Sequence, residues 1–221
     1  MNEWFFFLHL ALVSLFLWPA YRFGREGLIC WIALQPIMAN LFVLKQIDFF
    51  GYTVTCSDVY AVACALGLNV LQEYFGKEAA QKAVRLCFYL MVFFLVMSQC
   101  QLLYQPSTHD TAHVAYDAIL SVAPRLVIAS ILSFVTVQLI DVHFFAFLKR
   151  RAASLPLLYR NLISLTLSQL IDTLLFSFLG LWGYVSHLFD VILVSFLIKL
   201  VISVLLSLSS IKSKNYEPVS L

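Results

Sequence analysis

The sequence predicts an all-α, polytopic membrane protein whose helices cross the bilayer several times. Of its 221 residues, 62% are hydrophobic and only 12% are charged, whereas a soluble domain is about 45–50% apolar and about 25% charged. So few charges cannot cover the surface of a 25.2 kDa globule, and lipid must cover it instead. The net charge of +2, with no basic stripe interleaved with aromatic residues, excludes a nucleic-acid partner.

Seven apolar stretches are candidate transmembrane helices, because a helix needs about 20 apolar residues to cross the hydrocarbon core. They lie at roughly 4–20, 28–44, 53–74, 83–104, 118–147, 157–184 and 187–210. The first lacks the basic start and the cleavage site of a secretory signal, so we expect it to be retained. The chain thus divides into an N-terminal transmembrane segment at 1–25, a core helical bundle at 26–211 and a tail at 212–221.

Lysine and arginine residues predict the orientation of these helices. They concentrate in alternate connections, at 22–25, 77–85, 149–160 and 212–214, whereas 105–117 contains none. Cytoplasmic loops carry the excess of positive charge in membrane proteins. We therefore expect a cytoplasmic C-terminus and an N-terminus on the outer side.

Two consecutive predicted spans, which run in opposite directions, carry an internal repeat. Both copies read Q-L-I-D-x-x-x-F-x-F, at 138–147 and at 169–178. The Gln, the Asp and the first Phe stand at i, i+3 and i+7, so they share one helix face. The six side chains on these two faces are Gln138, Asp141, Phe145, Gln169, Asp172 and Phe176.

The two repeated faces predict a ligand site within the bilayer. An ionisable side chain at that depth is costly, so it normally faces a cavity or a partner. A carboxylate accepts N–H bonds, an amide donates and accepts, and a phenyl ring stacks, so the set suits a flat, nitrogen-rich base. Sites between oppositely oriented repeats recur in transporters. The alternative is that each Gln/Asp pair joins neighbouring helices by hydrogen bonds.

Other polar residues in or beside the apolar stretches extend the candidate site. Asn69 and Glu73 stand at i and i+4 near the inner end of the third span, although Glu73 fits an interfacial position equally well. Lys199 is too deep to reach the interface and needs an acidic partner, for which Asp172 is the first candidate. Arg125 either anchors the outer interface or lines an outer entrance.

The remaining polar residues predict no metal site, cofactor or active site. The five cysteines have no CxxC spacing, and His109 and His113 lie in a polar outer loop. Asp141 and His143 point to different faces of one helix, so they cannot form a catalytic relay. The chain also lacks the sequence G-x-x-x-x-G-K-[ST], so by itself it does not hydrolyse ATP.

The polar segments together resemble the queuosine precursor transporter family, also called the vitamin uptake transporter family. The resemblance covers about residues 30–205, and its most specific parts are the Q-x-x-D-V-H-x-F and D-T-x-x-F elements. The matching segments, in chain order, are Ala39-Asn40…Lys45, Asn69…Glu73-Tyr-Phe-Gly76, Pro124-Arg125…Ala129-Ser130, Gln138-Leu-Ile-Asp141-Val-His143-Phe, Gln169…Asp172-Thr173…Phe176 and Phe196…Lys199…Ile202-Ser203.

This resemblance implies a multi-pass protein of the bacterial inner membrane with a six-helix core, and a homodimer is also considered. It implies import of 7-deazaguanine bases for tRNA modification, such as 7-cyano-7-deazaguanine, 7-aminomethyl-7-deazaguanine or queuine. The alternative is the substrate-binding membrane subunit of an ATP-driven vitamin importer of the energy-coupling factor type. Two features depart from the family pattern: Asn69 replaces an Asp, and the N-terminal apolar segment lies outside the six-helix core.

Overall fold

The computed structural model describes residues 1–151 and 157–213, without the side chains of 138–139, 141–143, 145–146, 148–150, 157–162 and 202–213. Its elements are α1 (Asn2–Arg22), α2 (Gly24–Phe42), β1 (Gln46–Phe49), β2 (Tyr52–Thr55), α3 (Asp58–Leu102), α4 (His113–Leu120), α5 (Ala123–Arg151), α6 (Leu157–Phe176) with a π-helical turn at Ser177–Leu181, and α7 (Leu188–Ser213). In these residues the only sheet is a two-stranded hairpin.

The described helices have the length and composition that a bilayer requires. Four segments in this part of the chain are long and apolar enough to cross a membrane: Asn2–Arg22, Asp58–Leu102, His113–Val137 and Ile163–Leu181. Large apolar side chains are exposed on their outer faces, among them Trp4 and Phe16 on α1 and Val92 and Phe93 on α3. These faces suit contact with lipid, as the composition predicted.

Helix α3 contains two of the predicted spans, joined by a sharp bend at Gly76. A straight helix of 45 residues would be about twice as long as the hydrocarbon core is thick. Gly76 has φ 84° and ψ 170°, a conformation that is readily adopted only by glycine. The predicted separation of the spans at 53–74 and 83–104 is therefore confirmed, and residues 77–102 turn back beside residues 58–75.

Both halves of α3 pack against α2. Gly67, in the first half, has no room for a side chain, because a Cβ atom there would lie 2.7 Å from side-chain atoms of Ile32 and Trp31. Cys87, in the second half, lies with its Sγ atom 3.9 Å from the carbonyl oxygen of Ile32. Pro36 lacks the N–H that would normally bond to that carbonyl within α2, so the thiol approaches an acceptor that the helix leaves free.

The prediction that the third span begins at residue 53 is wrong, because β1 and β2 occupy residues 46–55. The strands pair from Gln46 with Thr55 to Phe49 with Tyr52. The two turn residues, Phe50 and Gly51, both have positive φ, as the tightest hairpin turns require. Apolar and β-branched residues in this hairpin raise the local hydropathy, so a hydropathy pattern merges it with the helix that follows.

The predicted long fifth and sixth spans are also interrupted in the structure. The fifth is divided into α4 and α5 by a short break at Ser121 and Val122, just before Pro124. The sixth passes from α6 into a π-helical turn whose end is joined to α5 by Arg125. The Arg125 guanidinium donates to the carbonyl oxygens of Leu179 at 2.7 Å and Trp182 at 2.8 Å, which favours the anchoring interpretation of this residue.

The connections lie at two opposite ends of the bundle. At one end, Lys82 lies 3.9 Å from Glu26, and the rings of Tyr21 and Tyr74 are 5.1 Å apart. This end contains the first two basic connections predicted to be cytoplasmic. At the other end, α1 contacts the hairpin: the Asn2 side chain donates to the carbonyl oxygen of Asp48 at 2.8 Å, and the Glu3 carboxylate accepts from the Phe50 N–H at 3.0 Å.

Candidate functional site

A cavity of about 260 Å³ lies between α2, both halves of α3, α5, α6 and α7. Its volume is slightly below the range of about 300–1,000 Å³ typical of small-molecule sites, so it can hold a small ligand such as a nucleobase. Most of its lining is apolar or aromatic. The aromatic residues in its wall are Tyr60, Phe88, Phe134 and Phe176, and the amide and charged residues are Asn40, Asp58, Asp172 and Lys199.

An ion pair between α6 and α7 is the main charged feature of this cavity. Lys199 Nζ lies 2.9 Å from Asp172 Oδ2 and also donates to Thr173 Oγ1 at 3.3 Å. The Lys199 side chain is 14% exposed and that of Asp172 is 31% exposed, so the ammonium is largely shielded while the carboxylate is more open. The predicted pairing of Lys199 with Asp172 is thus confirmed.

Asp58, at the start of α3, is a second carboxylate in the cavity wall and was missed by the sequence analysis. Only 5% of the residue is exposed, and its Oδ2 atom accepts a hydrogen bond of 2.6 Å from Ser195 Oγ. Ser195 lies one helical turn before Lys199, so the two polar side chains of α7 share a face. The predicted span at 53–74 included Asp58, but the sequence analysis gave this carboxylate no role.

Helices α2 and α5 are joined at the cavity wall by a neutral polar pair. Ser130 Oγ donates to Asn40 Oδ1 at 3.2 Å, and Asn40 Nδ2 donates to the carbonyl oxygen of Pro36 at 2.8 Å. Asn40 is 7% exposed, and both residues line the cavity. The family resemblance included Asn40 and Ser130, but the sequence analysis gave neither of them a role in the site.

The cavity brings together three of the predicted site residues, Asp172, Phe176 and Lys199. Gln169 is partly buried and is not part of the cavity wall, while Asn69 and Glu73 are exposed and lie away from it. The prediction that Gln169, Asn69 and Glu73 contact the ligand therefore gains no support from this structure.

The other half of the repeat lies outside the described side chains. These residues are Gln138, Asp141 and Phe145, and the structure describes their helical backbone only. Whether the two repeated faces meet at one ligand therefore stays a prediction.

A multi-pass helical protein with a small cavity that contains charged side chains among its helices has the architecture of a membrane transporter. Residues 57–211 match the family described as "Putative vitamin uptake transporter". The chain is also 35% identical over 186 residues to the "Probable queuosine precursor transporter" of Bacillus subtilis (strain 168), a match that covers 81% of this chain and 80% of that protein. No solved structure matches the chain significantly.

The chain therefore belongs to the vitamin uptake transporter family, and the resemblance predicted from its motifs is confirmed. It is a multi-pass membrane transporter, not an enzyme, whose partners are a small-molecule substrate and the lipid bilayer. The matched segment begins at residue 57, so it includes α3 to α7 and excludes α1, α2 and the hairpin. All described cavity residues except Pro36, Ala39, Asn40 and Val43 thus lie within the family match.

Proposed function

We propose that this protein imports 7-deazaguanine precursors of queuosine, such as 7-cyano-7-deazaguanine, 7-aminomethyl-7-deazaguanine or queuine, across the inner membrane of a bacterium. The observation that carries the proposal is the Asp172–Lys199 pair facing a cavity of nucleobase size beside Phe176. The printed name of the Bacillus relative supports the same substrate class.

Asp172 is the proposed partner of the N–H edge of the base. The guanidine-like edge of a 7-deazaguanine offers parallel N–H donors, and a carboxylate can accept two of them. In the empty site Lys199 supplies the positive charge that a buried carboxylate requires. When the base binds, its N–H groups take over part of that role, and Lys199 turns toward the acceptors of the base.

Aromatic rings supply the apolar part of the proposed site. Phe176 lies one turn after Asp172, so a base bonded to the carboxylate can lie against its ring. Phe88 and Phe134 form an edge-to-face pair with centroids 4.9 Å apart in the opposite wall. Stacking and edge contacts of this kind favour a flat ligand over a bulky one of similar polarity.

The repeat extends the proposed site beyond the described side chains. Gln138 and Gln169 would bond to the carbonyl and ring nitrogen of the base, Asp141 would act with Asp172, and Phe145 would stack opposite Phe176. Asn69 and Glu73 are omitted because both lie away from the cavity.

The proposed topology is a six-helix core at 26–211 preceded by the transmembrane segment 1–25 and followed by a cytoplasmic tail at 212–221. It is supported by the positions of the basic connections, because Arg25 and Lys82 lie at one end of the bundle while α1 begins at the other. Positive charge at the first end favours its cytoplasmic location. A homodimer stays a prediction from the resemblance.

The test is replacement of Asp172 by Asn in bacteria that cannot synthesise queuosine and are fed one of these bases. Loss of the carboxylate charge should remove queuosine from tRNA while the protein still inserts into the membrane. Asp117→Asn is the matched control, because Asp117 is exposed in α4 and lies away from the cavity. Normal queuosine in the Asp172→Asn strain would contradict the proposed binding role.

Uptake by the purified protein in liposomes separates a self-sufficient carrier from a subunit that needs a separate ATPase. A carrier exchanges internal for external base without added protein or ATP. Binding without exchange would favour the importer-subunit alternative.

A further inference from the structure

Among the side chains that the structure describes, the charges in the cavity do not balance. Asp58 and Asp172 contribute two carboxylates, whereas Lys199 is the only Lys or Arg in the cavity wall that the structure describes. Lys199 is bonded to Asp172. In the described part of the chain, no Lys or Arg side chain lies within 4.0 Å of Asp58, whose one hydrogen-bond partner is the neutral hydroxyl of Ser195.

A lone ionised carboxylate at this position is energetically unfavourable. Removing an ion from water costs several kcal/mol even after the protein relaxes, and Asp58 is 5% exposed. An ionisable residue within a membrane helix is normally paired or takes part in an ion or proton pathway. Asp58 therefore needs one further positive charge, either a bound proton or a cation.

The contact with Ser195 is suited to both protonation states of Asp58. At 2.6 Å the distance is that of a short O–H···O bond. When Asp58 is ionised, the Ser195 hydroxyl donates to the carboxylate; when Asp58 is protonated, the carboxyl group can donate to the hydroxyl oxygen. The bond is thus retained on gain or loss of a proton, and no rearrangement of α7 is needed.

The groups around Asp58 favour a proton over a divalent metal ion. The charges that act on it come from Lys199 on α7 and Asp172 on α6, and Cys56, just after β2, is close enough for its thiol to be affected by the carboxylate. In the described residues no three His, Cys, Asp or Glu side chains form a group that could hold a metal ion. A proton requires no such set of ligands.

We propose that Asp58 binds the proton whose inward movement drives accumulation of the substrate. The proposal rests on the proposed function, since it assigns the driving force of that same transport. A proton from the outer solution neutralises Asp58, so that Asp58, Asp172 and Lys199 together carry no net charge when a neutral base is bound. Proton and base leave to the inside, and the empty site returns with one negative charge, so each cycle moves one positive charge inward.

The experiment uses the purified full-length protein in liposomes and labelled 7-cyano-7-deazaguanine, with the membrane potential clamped to zero. A pH gradient of one unit, acid outside, should concentrate the base inside about tenfold if one proton accompanies each molecule. Asp58→Asn should abolish accumulation while exchange of internal for external base persists. Asp48→Asn, at an exposed hairpin position, is the matched control and should accumulate base like the unmodified protein.

The outcomes separate this inference from the proposed function. Three results would overturn the proton site and leave the transport proposal intact. The unmodified protein could exchange base without pH-driven accumulation, or it could accumulate base in response to a sodium gradient instead. The third such result is normal pH-driven accumulation by Asp58→Asn. Absence of any exchange of 7-deazaguanine bases by the unmodified protein would overturn the proposed function, and the proton assignment with it.

A second variant covers the case in which Asp58→Asn loses exchange as well. Ser195→Ala removes the hydroxyl that stabilises the ionised carboxylate and retains the carboxyl group itself. Uptake by this variant should respond to external pH with a midpoint shifted upward, because the bond to the ionised carboxylate is stronger than the bond to the protonated group, and its loss costs the ionised form more. An unchanged pH profile would overturn the assignment.

Discussion

The Asp172–Lys199 pair offers the most direct test of the physical argument for the cavity. Replacing Lys199 by Met retains most of the side-chain volume and removes the charge, which leaves Asp172 without its ammonium partner. Loss of one member of a buried ion pair costs about 3–5 kcal/mol. The Asp172 side chain is 31% exposed, and partial access to water reduces that cost. We therefore expect a loss of about 2–3 kcal/mol in the free energy of unfolding.

The double variant Asp172→Asn/Lys199→Met makes this prediction specific. It removes both charges, so no uncompensated ion remains, and replacement of a buried pair by neutral groups is often tolerated. By the scaling of soluble domains with about 200 residues, each kcal/mol corresponds to about 2–4 °C in Tm. Lys199→Met should thus lower the Tm in detergent by about 4–12 °C, and the double variant should recover at least half of that loss.

A double-mutant cycle of thermal unfolding measures this coupling. If the losses in Tm of the two single variants simply add in the double variant, the two residues are not energetically coupled. The interpretation of the cavity as a charge-compensated site would then be wrong. Uptake measurements are not needed for this conclusion, so it is independent of the identity of the substrate.

Two further predictions concern the helix contacts that shape the cavity. Gly67→Ala should lower the free energy of unfolding by about 1–3 kcal/mol, since its Cβ atom would overlap Ile32 and Trp31. Ala65→Ser, at an exposed neighbouring position, is the control. Equal Tm values for the two variants would refute the close packing at Gly67. Arg125→Ala should lower the free energy of unfolding by about 1–2 kcal/mol, because it removes two hydrogen bonds to backbone carbonyls. The Tm of Arg125→Lys should lie between those of Arg125→Ala and the unmodified protein. An unchanged Tm for Arg125→Ala would refute the anchoring role.

Part of the candidate site could be predicted from local sequence patterns. Asp172, Phe176 and Lys199 stand out because charged and aromatic residues at helical spacing in an apolar run indicate a shared face and a required partner. Asp58 lies within the predicted span 53–74, but no charged or aromatic residue follows it at helical spacing, so the same pattern does not single it out. Its burial depends on the position of α7 beside the first turn of α3, and that position is a long-range contact.

The breaks in the helices could likewise be predicted only in part from local sequence. Gly76 could be identified as a helix end, since glycine followed by charged residues is a local signal. The hairpin could not, because Tyr52–Thr55 carries no charge and lies directly before the apolar run of α3, so a hydropathy pattern merges the two. Asn69 and Glu73 share a helix face at the expected spacing, yet both are exposed and neither lines the described cavity. Periodicity determines which residues lie together on a helix, but it does not determine the direction in which the face points.

By itself, the sequence determined that this protein is helical, lies in a membrane and belongs to a transporter family, because the cost of placing charge in lipid constrains composition and because the family motifs are local. Only the tertiary structure decided that Lys199 pairs with Asp172 and that Asp58 bonds to Ser195. It also decided that these groups share one cavity with Asn40. The physical reason is that the charge balance of a buried site depends on which helices are neighbours, and helix packing is a property of the whole chain.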